Sequence, residues 1–310
     1  MVQDNKNTAP FGDLQFDTRI GDRGSGRYRF IYYFILLFLG VCIFALPLKE
    51  LIAMSLDSEL YSFIPLIFVT SGYLVISGRR EIFDDPAWSF GYGASVLMLS
   101  LAAGVAGLRN ASLLLPKDYL SVMTFSFWLF VAGAFILIFG KRSFMKAIFP
   151  LGMLMFIIPF PEMILDKIVG FLQIASYTVT SWIFHTLGFF PIQEGFMFKF
   201  PDITIEVARQ CSGIRSSMAL VILSLLCGHF FLRSSFNRIL LVISAVLIAI
   251  FKNGVRIVGL TLSAIYVDPR IMSGPIHKKG GYPVFILAFL MLIAVVAVMK
   301  KLEKRRLDKP

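Results

Sequence analysis

Eight apolar runs, at 28–47, 60–77, 88–108, 119–139, 143–160, 213–232, 239–259 and 283–299, are each long enough to cross a lipid bilayer as a helix, or nearly so. With 57% hydrophobic residues, 32 phenylalanines and a mean hydropathy of +0.78, the 310-residue chain is too apolar for a soluble domain. The expected fold class is therefore all-α: a polytopic transmembrane protein of about eight helices, folded as one domain over 28–299. A polar, mixed-charge flexible tail precedes it at 1–27 and a basic tail follows at 300–310.

Two segments break the pattern. Residues 162–188 are apolar but carry Asp166, Gly170, Gln173, Ser176, Thr180 and Ser181 at intervals of mostly three or four. That stripe predicts an amphipathic helix that lies at the interface or lines a protein groove. Residues 196–207 alternate in the manner of strands around Pro201-Asp202, which predicts a short β-hairpin outside the bilayer.

The net charge of +11 is a topology signal here and does not point to nucleic acid, because the basic residues gather at the ends of apolar runs. With eight crossings, 18 of the 30 lysines and arginines fall on one side. That side is expected to be the cytoplasm and to hold both termini. Crossing by 162–188 would turn the basic turn at Arg233/Arg238 and the basic C-terminus outward, against the positive-inside rule.

This orientation brings chemistry-bearing residues to the outer face. In Arg209-Gln-Cys-Ser-Gly-Ile-Arg215, Cys211 precedes the sixth span. Ser212 is expected to cap a helix that begins near Gly213, so the thiol would sit by exposed N–H groups that favour a thiolate. Arg209 and Arg215 add positive charge. Arg256 and Asn253, one turn apart in Phe251-Lys-Asn-Gly-Val-Arg-Ile257, are costly in apolar surroundings unless paired. The loop at 268–283 presents His277. Each residue has a plainer reading: a buried filler cysteine, an arginine that snorkels to headgroups, an exposed loop histidine. Together they form a set suited to thiol catalysis, in which histidine carries the proton and arginine holds negative charge. One cysteine and one histidine do not make a metal site, and no cofactor is expected. Cys42 and Cys227 lie inside apolar runs and offer no disulfide framework.

Cys211-Ser-Gly-Ile-Arg215, Asn253-Gly-Val-Arg-Ile257 and His277 followed by Gly280, Gly281 and Phe285, in that order, closely resemble the exosortase/archaeosortase family of membrane cysteine transpeptidases. The resemblance covers roughly Leu51 to Val298 and includes Pro159-Phe-Pro161 and the segment from Gly188 to Gly195. It implies Cys211 as nucleophile with Arg256 and His277 completing the site, and Ser212, Gly213, Arg215 and Asn253 in support. A histidine in the third place is similar to the bacterial exosortase branch. The implied partners are exported proteins that end in a tripartite signal: a short motif such as Pro-Glu-Pro, a transmembrane helix and a basic cluster. Cleavage would pass through a thioester resolved by an acceptor nucleophile, envelope polysaccharide or lipid. Glu59-Leu-Tyr-Ser62 lacks the histidine often found after Tyr-Ser in this family.

Two other classes use the same residues. A transporter would line its path with Arg256 and Asn253, although the polar residues gather at one face and no inverted repeat is visible. A membrane enzyme of envelope polysaccharide assembly would turn the outer arginine and histidine toward glycan or lipid phosphate. Loss of activity in Cys211→Ala separates a thiol enzyme from both.

Overall fold

The computed structural model describes residues 23–201, 203–268 and 281–307. Eleven helices are named here: α1 (Arg23–Ile43), α2 (Ala45–Asp57), α3 (Ile64–Ser77), α4 (Arg79–Ile82), α5 (Phe90–Arg109), α6 (Pro116–Lys146), α7 (Ile148–Met153), α8 (Glu162–Thr186), α9 (Ile214–Phe231), α10 (Ser235–Tyr266) and α11 (Gly281–Leu307). Helices α1 and α11 extend beyond the boundaries expected from sequence, to Arg23 and Leu307.

Five helices among the described residues are long and apolar enough to cross a membrane, or seven if two bent pairs each count as one span. The sequence reading has eight. The difference comes from breaks that hydropathy does not register. The first run bends by 79° between α1 and α2. The second yields only the 14-residue α3, about 21 Å long and short of a roughly 30 Å core. The fifth breaks into α7 and a 3-10 turn, Leu154–Ile157, ahead of a 91° bend into α8.

The chain forms two compact units. Among the described residues, the first holds 23–49, 68–110 and 122–157. Here α5 lies against α6 with almost no space between the backbones: a Cβ on Gly93 would come within 2.4 Å of Leu137 Cα. Small residues permit such contact between membrane helices. Helix α6 kinks at Gly140, whose φ of 87° and ψ of 168° suit glycine alone. The freed carbonyls are used: Ala87 N–H donates to Phe139 O at 3.2 Å and Ser89 N–H to Leu137 O at 3.1 Å.

The second unit holds residues 50–67 and 111–121 and the described residues from 158 to 307. Helix α10 is its axis, with α8, α9 and α11 packed around it. Its buried positions Leu241, Ala245, Ile248, Ala249, Lys252, Asn253 and Ile257 recur at helical spacing. Leu241, Ala245 and Ile248 share an apolar core with Leu220 of α9 and with Ala288 and Leu292 of α11. Helix α8 keeps its stripe, now buried: Gln173, Ser176 and Thr180 turn inward, with Ser176 and Thr180 fully buried. The polar stripe at these three positions thus faces protein.

The expected hairpin is present and gains a strand. β2 (Met197–Lys199) and β3 (Thr204–Glu206) pair antiparallel with Phe198 opposite Ile205, and β1 (Ile192–Glu194) pairs with the other edge of β2. Phe198, fully buried, stacks on Tyr177 of α8 with ring centroids 4.6 Å apart. Phe184 and Ile257 lie in the same cluster, so the sheet is held against α8 and α10. This positions the segment after β3, which contains Cys211.

Candidate active site

The segment from Val207 to Gly213 is fixed by two buried amides. Gln173 Nε2 on α8 donates to Val207 O at 2.7 Å. Asn253 Nδ2 on α10 donates to Cys211 O at 2.8 Å and to Ser176 Oγ at 3.0 Å. Asn253 is 1% exposed, so these bonds have little water to compete with, and a buried group left without them costs about 1–3 kcal/mol.

Two glycines make this arrangement possible. Gly254 lies where α10 meets α8; a Cβ there would be 2.7 Å from Val179 Cγ1. The close approach lets the neighbouring Asn253 reach Ser176. Gly213 is left-handed, with φ of 77°, and a Cβ on it would lie 2.9 Å from Asn253 Cγ. Both backbone strain and the asparagine exclude a side chain there. The glycines of the Cys-Ser-Gly and Asn-Gly stretches thus bring two distant parts of the chain together.

Cys211 closes a 3-10 turn, Arg209–Cys211, and its side chain is partly buried. Burial is the largest influence on the Cys211 thiol and works against the thiolate expected from the sequence; the charge of Arg256, one turn beyond Asn253, opposes it and that of Glu206 adds to it. Gly281, at the start of α11, also approaches Arg256: its Cβ position would be 3.9 Å from Arg256 Nε. Cys211, Gly213, Asn253 and Arg256 are therefore neighbours. His277 lies outside the described residues, four positions before Gly281 in the sequence.

The expected cap is corrected. Gly213 is the N-cap of α9 and no side chain caps it; Ser212 is 1% exposed and its Oγ has no hydrogen-bond partner. The left-handed turn at Gly213 takes the Ser212 hydroxyl out of register with the first free N–H groups. Arg209 and Arg215 are committed to acids: Arg209 pairs with Asp166 at 2.5 Å and Arg215 with Glu59 at 2.7 Å. They tie the segment to α8 and to the α2–α3 turn. Cys42 and Cys227 are elsewhere, Cys227 packed into the α9–α10–α11 core.

The sequence reading passed over Lys252. This lysine is 5% exposed, and its Nζ donates to Ser216 Oγ, whose hydroxyl donates in turn to Gly213 O. A lysine inside an apolar run was the available signal. No group of three or more metal-ligating side chains occurs among the described residues.

The chain matches the family described as transmembrane exosortase (Exosortase_EpsH) over residues 54–294. The chain belongs to the transmembrane exosortase family. No curated protein and no solved structure matches it. The exosortase match begins in α2 and ends within α11, and so includes every residue of the Cys211–Asn253–Arg256 cluster. As an exosortase family member with several membrane-crossing helices, it is a multi-pass membrane protein.

Proposed function

We propose that the protein is a membrane-embedded cysteine transpeptidase that cleaves C-terminal sorting signals from exported proteins at the outer face of the cytoplasmic membrane. One observation carries the reading: Asn253 bonds to the carbonyl of Cys211 while the charge of Arg256, on the next turn of the same helix, opposes the burial that disfavours the thiolate. A filler cysteine requires neither.

In this mechanism His277 takes the thiol proton and the Cys211 sulfur attacks the scissile carbonyl carbon. A C–S bond forms and the carbonyl oxygen becomes an oxyanion, which Arg256 stabilises. Collapse breaks the C–N bond, and the leaving amine takes the proton from His277. The acceptor then attacks the thioester, its proton passes to His277, and breakage of the C–S bond restores the thiolate. Asn253 positions the Cys211 backbone, and the substrate's tripartite signal supplies its own membrane anchor. Envelope polysaccharide or lipid would be the acceptor.

Co-expression with an exported protein bearing such a signal tests this by the mass of its C-terminus. Parent protein, Cys42→Ala and Cys227→Ala should give the shortened product, and Cys211→Ala none. Shortening by Cys211→Ala at the parent rate would end the thiol mechanism.

A further inference from the structure

The first compact unit contains a cavity of about 610 Å³ that the proposed chemistry does not use. It is lined along α1 from Phe30 to Val41 and along α3 from Phe68 to Ile76, and Phe34 and Ile76 on its rim are well exposed. Phe30, Phe83 and Phe139 form an aromatic cluster at one end, with ring centroids 4.7–5.2 Å apart. Two polar groups in the wall are occupied: Ser71 donates to Pro150 O and Trp128 Nε1 to Leu151 O.

The lining of α1 covers eleven residue steps, about 16 Å, close to half the roughly 30 Å hydrocarbon core. At roughly 30 Å³ for a group the size of water, the cavity holds about twenty methylenes. A transmembrane helix, about 10 Å wide and 30 Å long, would need roughly 2,400 Å³. The occupant is therefore a single chain within one leaflet.

Apolar walls alone do not select such a chain, because hydrocarbon is equally at home in the bilayer. Selection comes from charge. Arg79 lines the cavity beside Phe83, and none of the ion pairs among the described residues includes it. Asp85 pairs with Arg142 at 2.9 Å and Asp84 with Lys146 at 3.8 Å, while Glu81, exposed on the same short helix, forms no ion pair with Arg79. The geometry points to a binding site for an anionic phospholipid, with one acyl chain in the α1–α3 cavity and its phosphate on Arg79.

The test uses the full-length protein, purified in detergent and stripped of lipid, then titrated with phosphatidylglycerol or phosphatidylcholine of identical chains. Native mass spectrometry counts the bound lipids. Phosphatidylglycerol should bind first and about fivefold or more tightly, and Arg79→Gln should remove that preference. Gly72→Phe should reduce binding of both lipids, since a Cβ at Gly72 meets no atom within 4 Å and the ring can enter the cavity. Gly91→Phe, equally unhindered but outside the cavity, should bind as the parent does. Arg79→Gln alters an exposed residue and still decides the matter if Gly72→Phe fails to fold. Equal binding of the two lipids by the parent, an unchanged preference in Arg79→Gln, or equal losses in Gly72→Phe and Gly91→Phe would overturn the site.

Discussion

Asn253 and Arg256 share one face of one helix, yet their proposed work differs and so do their tests. Arginine and lysine both serve as membrane anchors, but only arginine offers a planar fork to an oxyanion. Arg256→Lys, at matched membrane abundance, should therefore lose about 10²–10³ in processing rate; the parent rate would reduce Arg256 to an anchor. Asn253→Ala removes the donor to Cys211 O, while Gly213→Ala pushes a methyl against the same amide. Because both disturb one turn, their effects on the alkylation rate of Cys211 should be coupled by about 0.5–3 kcal/mol in a double-mutant cycle. Strict additivity would separate Asn253 from the turn. Cys211, Asn253 and Arg256 were legible in sequence because reactive or polar groups stand out against an apolar run. Ser212 was misread because capping depends on a φ angle set at Gly213, and Gln173 was seen only as one member of a stripe because its partner is a backbone carbonyl 34 residues away.

Helices in this protein meet through glycine, and two of those glycines should respond differently to repair. Gly254→Ala places a methyl against the Val179 side chain, an overpacking that costs about 1–3 kcal/mol. Val179→Ala in the same protein should restore most of the lost thermal stability. At Gly140 the added methyl would meet Ala87 O at 2.5 Å, with φ at 87°. That obstacle is backbone, so Gly140→Ala should destabilise by about 1–3 kcal/mol from strain alone, and Ala87→Gly should not rescue it. A rescue would mean that side-chain packing, not the kink, sets the cost. Hydropathy registers where the chain is apolar and is blind to these features. A glycine at positive φ and the bends of 79° and 91° interrupt helices without changing composition, so element type was readable and the span count was not. The β2–β3 pair was readable from alternation around Pro201; β1 has only three residues, all exposed, and left no pattern.

For the molecule as a whole, the distribution of basic residues predicts that the sheet and the α9–α10 turn face opposite sides of the membrane. With the native cysteines replaced, a membrane-impermeant thiol reagent should label Thr204→Cys in intact cells and spare Ser235→Cys; the reverse pattern would invert the protein. The α9–α10 turn has a further peculiarity. The Glu303 carboxylate on α11 accepts hydrogen bonds from Arg233 N, Ser234 N and Asn237 Nδ2 at 2.7–3.1 Å, whereas α10 has no side-chain cap from its own Ser234. The helix that carries Asn253 and Arg256 is thus fastened at its start by a residue made some seventy positions later. On the ribosome α10 would emerge and insert with that end still loose, and its first turn would be fastened only after α11 had followed it into the fold.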